Sequence, residues 1–214
     1  MITYKTPVDE YNFLLHDFLK ISQQNIESFS ELNKGFTTEI FATAGKLASD
    51  VLLPINRIGD VEGCKLENGA VITPKGFINA FKKLREDGWT SIDCDEEFGG
   101  LGLPTSISIL LGEIFSSCNI SLTIYQALTH GAYGAILKYG TENQKNLYLP
   151  KLISCEWTGT MNLTEPQCGT DLSLIKTKAE KITKEKFLIS GQKIFISAGE
   201  HDLAENIIHL VLAK

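Results

Sequence analysis

The residues best suited to chemistry lie in the stretch MNLTEPQCGTD at 161–171. It reads as a strand running into a polar turn that offers the Thr164 and Thr170 hydroxyls and several unpaired main-chain amides. Amides in a tight glycine-containing turn form an anion-binding concavity, and a hydroxyl on the last strand residue can bond a ring carbonyl or nitrogen. Such groups suit a planar heterocycle and a phosphate. On periodicity alone, an ordinary strand-to-loop corner accounts for the same residues.

Other motifs carry less. GGLGLPT, from Gly99 to Thr105, precedes a helix, but it does not follow a strand and lacks G-x-G-x-x-G spacing, so a glycine turn covers it. No G-x-x-x-x-G-K-[ST] phosphate loop is present. His130 sits in LTHGAYGA with no G-x-S-x-G elbow to partner it, and is expected to be structural. His16, His201 and His209 are too dispersed to suggest a metal cluster. The five cysteines, Cys64, Cys94, Cys118, Cys155 and Cys168, form no C-x-x-C pair and read as reduced thiols that pack. No metal site is expected.

The elements that position these residues change character along the chain. Apolar residues first recur at three- and four-residue spacing, the mark of helices. Val8, Tyr11, Leu14, Leu15, Phe18 and Leu19 form one core stripe. Ile40, Phe41, Ala44, Leu47, Ala48, Val51 and Leu52 form another, which Pro54 is expected to stop. A polar connection from Gly59 to Thr73 leads to a helix that begins near Pro74, buries Phe77, Phe81 and Leu84, and ends at Gly88. Further helices are expected at 105–118 and 120–139, and Thr141-x-x-Gln144 is a capping box for the next. From Trp157 the runs WTGTMNLT, KTKAEKI, KFLISGQKIFIS and NIIHLVLAK read as strands. The expectation is therefore α+β: a helical domain over 1–155, then a partial β domain over 156–214 that looks cut short.

With 43% hydrophobic and 21% charged residues, the 214-residue chain is long enough and apolar enough to bury a core. A net charge of -6 without a long Lys/Arg cluster argues against nucleic acid or an anionic membrane surface as partner. The N-terminus reads neither as a signal nor as a transit peptide, and no run of about 20 apolar residues is evident, so a cytoplasmic protein without a membrane span is expected.

LTEPQCGTD resembles the acyl-CoA dehydrogenase signature, in which a hydrophobic residue, Ser or Thr, Glu, two variable residues, a small residue, Gly, Ser or Thr, and Asp follow in order. Similar pieces flank it at fitting separations: GWTSIDCDEEFGGLGLP, HGAYGAILKYGTENQKNLYLPKLISCEWTGT and FLISGQKIFISAGEHDLAENIIHLVLAK. Asn162 and Cys168 depart from the usual residues at their positions. YKTPVDEYNFLL, NRIGDVEGCKLENG and EHDLAENIIHLVLA resemble most the branch that includes 3-methylmercaptopropionyl-CoA dehydrogenase.

The resemblance implies an FAD-dependent oxidoreductase of fatty acid metabolism that converts an acyl-CoA thioester to the trans-2-enoyl-CoA and passes electrons to an electron-transfer flavoprotein. It implies that Met161, Leu163, Thr164, Phe195 and Ser197 line the flavin, Phe195 standing where Trp is frequent. Gly169 and Thr170 would bind the CoA side or the cofactor phosphates. The base in relatives is a Glu of a C-terminal helical domain, which the chain is expected to lack, so no catalytic residue is assigned and Glu165 reads as a structural partner. Intact relatives are expected to be homo-oligomers. An acyl-CoA oxidase shares this fold and flavin, and a non-catalytic binding or assembly module is the alternative of another class.

Overall fold

A computed structural model describes residues 2–214. Its helices come first and its longer strands last, an α+β order. The chain opens with a short helix, α1 (Val8–Asn12), that widens into a π-helical turn over Phe13–Phe18. Tyr11 and Leu15 from this segment enter the core, but Leu14, Phe18 and Leu19 remain exposed, so the first stripe is only partly core. The wider turn changes the angular step per residue, and a stripe counted at helical spacing no longer shares one face.

Helix α2 (Lys34–Leu47) is capped by the Asn33 side chain, which accepts from Phe36 N at 3.0 Å. Pro54 does not stop the helical run that follows. A π-helical turn over Ala48–Leu52 leads directly into α3 (Leu53–Glu62), with Pro54 in its first turn. At that position the missing N–H is one that a helix start leaves unpaired anyway. The connection expected from Gly59 to Thr73 instead holds the end of α3 and a hairpin of β1 (Lys65–Glu67) and β2 (Ala70–Ile72). Asn68 and Gly69 turn it, with φ of 52° and 85°.

Helix α4 (Phe77–Glu86) starts a little after Pro74, buries Phe77, Phe81 and Leu84, and is followed by Gly88 at φ 77°. The long run α5 (Thr105–Tyr139) is two helices end to end, broken at Asn119, whose φ of -160° and ψ of 81° are non-helical. The buried Asn119 side chain explains the break: its Oδ1 accepts from Leu122 N at 3.0 Å as a cap for the second half, and its Nδ2 donates to Leu52 O at 3.2 Å. By length and composition this run is apolar enough to cross a membrane, a correction to the sequence expectation. In the fold Ile107, Leu111, Ile114, Phe115 and Leu122 are buried in the helical core beside Phe41, Phe81 and Leu84. The capping box forms at Thr141 and Gln144, opening α6 (Glu142–Ile153).

The strands are β3 (Trp157–Asn162), β4 (Lys178–Lys181), β5 (Phe187–Ser190) and β6 (Asn206–Val211). β3 and β6 pair in parallel from Trp157 opposite Asn206 to Asn162 opposite Val211, and β4 and β5 form an antiparallel hairpin. β3 lies against the second half of α5. Gly159 permits this: a Cβ there would sit 2.4 Å from Ala132 Cβ. Gly159 N also donates to Thr129 Oγ1 at 3.1 Å. The run KFLISGQKIFIS is strand only over 187–190; beyond it Phe195 and Ala198 take φ of 56° and 55°, which no regular strand tolerates.

Candidate functional site

β3 delivers its last residues to a corner where the chain turns at 165–168. Glu165 N donates to Cys168 O at 2.9 Å and Cys168 N to Glu165 O at 3.1 Å, so these two amides are occupied, unlike the open turn the sequence suggested. Pro166 suits such a closed turn because its ring sets φ. Asp171 then accepts from Ser173 N and Oγ and starts a single 3₁₀ turn at Leu172–Leu174.

Glu165 anchors the corner. Only 3% exposed, its carboxylate accepts from Lys193 Nζ at 2.9 Å, Gln167 Nε2 at 2.6 Å, Lys176 N at 2.7 Å and Thr177 N at 3.0 Å. Burial alone raises a carboxyl pKa, but these donors, from Thr177, Lys176 and Lys193, outweigh it and hold Glu165 well below the ordinary value. A carboxylate so fully engaged has no lone pair to spare for a substrate proton, in keeping with a structural role.

Lys193 also donates to Leu163 O at 2.9 Å, and Ile194 N to Thr164 O at 3.0 Å. These bonds bring the Phe195 segment beside the end of β3. Met161 is 55% exposed and Phe195 90% exposed, while Leu163 and Thr164 are half-buried and Ser197, Gly169 and Thr170 are exposed. An aromatic ring held outward at a left-handed φ is costly to keep, and such residues concentrate where ligands are met. A Cβ on Gly169 would lie 3.8 Å from Thr164 Cγ2, so Gly169 stands at the same corner. An exposed aromatic and a hydroxyl residue, Phe195 and Thr164, thus come from segments tied to one another, and such groups are the kind that meet a planar ring system with polar edges.

A second concavity lies in the helical part, a cavity of about 290 Å³ between the two halves of α5 and the segment after α4. His130, expected to be merely structural, lines it. Its Nε2 lies 3.0 Å from Asp93 Oδ1, and contact with Asp93 raises its pKa against the lowering effect of burial. Asp93 is itself held below its ordinary value, its burial outweighed by His130 and Ser108. Cys94 joins them, the three ligand-type atoms lying within 4.8 Å of one another. Burial pushes the Cys94 thiol up to about 12, so it stays protonated and packs. Nothing in the sequence spacing pairs position 93 with position 130.

Compared with known proteins, residues 38–156 match the model of the acyl-CoA dehydrogenase N-terminal domain. That match covers more than half of the chain, and the protein belongs to the acyl-CoA dehydrogenase family. More particularly, it is 39% identical over its full 214 residues to 3-methylmercaptopropionyl-CoA dehydrogenase of Ruegeria pomeroyi, spanning 36% of that protein. It is 41% identical over 173 residues to a butyryl-CoA dehydrogenase of Syntrophomonas wolfei, covering 79% of this chain and 28% of that one. Among solved structures, an acyl-CoA dehydrogenase complexed with FAD from Bacillus anthracis superposes with a TM-score of 0.67 at 26% identity, covering 91% of this chain and 30% of that one. The chain thus spans about a third of the length of these relatives, which are named as dehydrogenases.

Proposed function

We propose that this chain forms the helical part (1–155) and the flavin-facing β part (156–214) of an FAD-dependent acyl-CoA dehydrogenase. The reaction of the whole protein is α,β-dehydrogenation of an acyl-CoA thioester to the trans-2-enoyl-CoA, with electrons passed to an electron-transfer flavoprotein. A homo-oligomeric assembly goes with this reading. The observation that carries it is the tie between Ile194 N and Thr164 O, which brings the segment of the 90% exposed Phe195 to the end of β3.

FAD bound there supplies the hydride acceptor. The chain's own residues hold and orient it: Phe195 stacks, Thr164 and Ser197 offer hydroxyls to the ring edge, and Gly169 and Thr170 face the CoA or cofactor phosphates. Glu165 keeps the corner rigid through Lys193 and does not act as the base, which in this reading comes from outside residues 1–214. The test is a visible absorption spectrum of the purified chain after incubation with FAD and removal of free cofactor. Weak retention is expected of this chain alone, and what is retained is expected to fall further on substitution of Phe195 or Thr164. Retained flavin that is indifferent to substitution of both Phe195 and Thr164 overturns the placement.

A further inference from the structure

Asp93, Cys94 and His130 meet in a way that the flavin corner does not explain. His130 Nε2 lies 3.0 Å from Asp93 Oδ1 yet off the line of a hydrogen bond, a buried polar atom without a partner among the described residues. A buried nitrogen left so is costly and needs an explanation. With Cys94 Sγ, the three ligand-type atoms lie within 4.8 Å of one another. A nitrogen and a carboxylate oxygen that close, but not hydrogen-bonded, stand as two ligands stand about one cation.

The fold holds these groups from both sides. Asp93 and Cys94 sit in the turn after α4, where Cys94 N donates to Ser91 O at 3.2 Å and Gly102 N to Cys94 O at 3.0 Å. Gly100 packs so closely that a Cβ there would overlap the Cys94 carbonyl. Asp95 N donates to the Tyr133 hydroxyl at 2.8 Å, and Tyr133 follows His130 by three residues on the same face of α5. That bond fastens the turn to the helix face that bears the imidazole. Ligands on rigid, cross-tied elements are what a metal site requires.

We propose that Asp93, Cys94 and His130 bind a divalent ion of the zinc class, with water as the fourth ligand. One imidazole, one thiolate and one carboxylate suit such an ion, whereas magnesium and calcium prefer oxygen alone. Ligands about a tetrahedral zinc stand roughly 3.5 Å apart, so the ion draws the widest pair together by about 1 Å. On binding, the Cys94 S–H bond breaks, the sulfur–metal bond forms and the proton passes to the buffer. The thiol that keeps its proton without a metal thus gives it up to the ion's charge. Two negative ligands then neutralise the two positive charges, which makes the burial of Asp93 and Cys94 tolerable. The His130 side chain, 40% exposed, leaves the hydrated ion a way in. The inference does not rest on the dehydrogenase reading.

Co²⁺ is the probe, because it takes the same ligands and absorbs when bound by thiolate. Titration of the reduced chain with Co²⁺ is expected to give a thiolate-to-metal charge-transfer band that saturates at one ion per chain and is abolished by Zn²⁺. The band is expected to survive Cys64→Ser, which removes the exposed thiol, and to vanish in Cys94→Ser. His130→Gln is expected to weaken Co²⁺ binding by more than about tenfold, since even a residue that only supports a ligand is worth that much. No band, a band lost with Cys64→Ser or kept in Cys94→Ser, or unchanged affinity in His130→Gln would overturn the proposal. If Cys94→Ser fails to fold, ¹¹³Cd NMR of the wild-type chain decides. A signal coupled to the Cys94 β protons is expected, and one coupled to those of Cys64, or to no thiolate, overturns the site.

Discussion

The Lys193 ammonium lies 2.9 Å from Glu165 Oε1 with their side chains 9% and 2% exposed. A pair so far out of water is strongly destabilising to break, because removing one partner strands the other's charge. Glu165→Gln is therefore expected to lower the urea midpoint of unfolding clearly, and Glu165→Gln with Lys193→Met to recover part of the loss. Equal midpoints for wild type and Glu165→Gln would refute the anchoring role. The sign with pH follows from the depressed pKa: the contribution is complete above the ordinary carboxylate value of 4.5 and fades as pH falls below it.

Phe195 is 90% exposed, so its side chain contributes nothing to the core. Phe195→Ala is expected to leave the melting temperature unchanged and to weaken FAD binding about three- to tenfold, the range for an aromatic stacking contact. Unchanged flavin affinity, read by fluorescence titration, would remove Phe195 from the site.

At Gly159 the close approach of β3 to α5 leaves no room for a methyl group. Gly159→Ala is expected to cost about 1–3 kcal/mol by overpacking, and Ala132→Gly in the same chain to restore part of it. Denaturant unfolding of the two single variants and the double variant measures the coupling; strict additivity would mean that the two elements do not meet there.

His201 is buried and accepts from Leu203 N through Nδ1, which leaves Nε2 as the protonated nitrogen facing Thr158 Oγ1. Burial lowers its pKa below 6.5, against the raising effect of Glu200 and Asp202. A histidine kept neutral in the fold gives full stability above pH 6.5, and stability is lost as pH falls below that value because the unfolded chain takes up the proton first. His201→Gln is expected to flatten the dependence of unfolding free energy on pH below 6.5. An unchanged slope would mean that other groups set it.

What the sequence disclosed follows how local each signal is. The capping box at Thr141 and Gln144 and the break of α5 at 119 were legible, because caps and breaks are written within a few residues. The hairpin of β1 and β2 went unread: its strands are three residues each, too short for alternation to register, although Asn68-Gly69 is a strong turn signal. IFIS at 194–197 alternates like a strand, yet positive φ at Phe195 and Ala198 dissolves it, and no composition rule anticipates φ > 0 at a phenylalanine. The signature turn was visible as residue types. Its engagement with Lys176, Thr177 and Lys193 was not, nor was the meeting of Asp93, Cys94 and His130, because these are contacts made by tertiary packing.

The parallel pairing of β3 with β6 also sets an order of assembly. Trp157 has no strand partner until Asn206 is in place, so β3 pairs late. The seat of β3 on α5, Gly159 against Ala132, needs no residue of β6. Gly159 thus makes the burial of one face of the strand independent of the pairing of its edge.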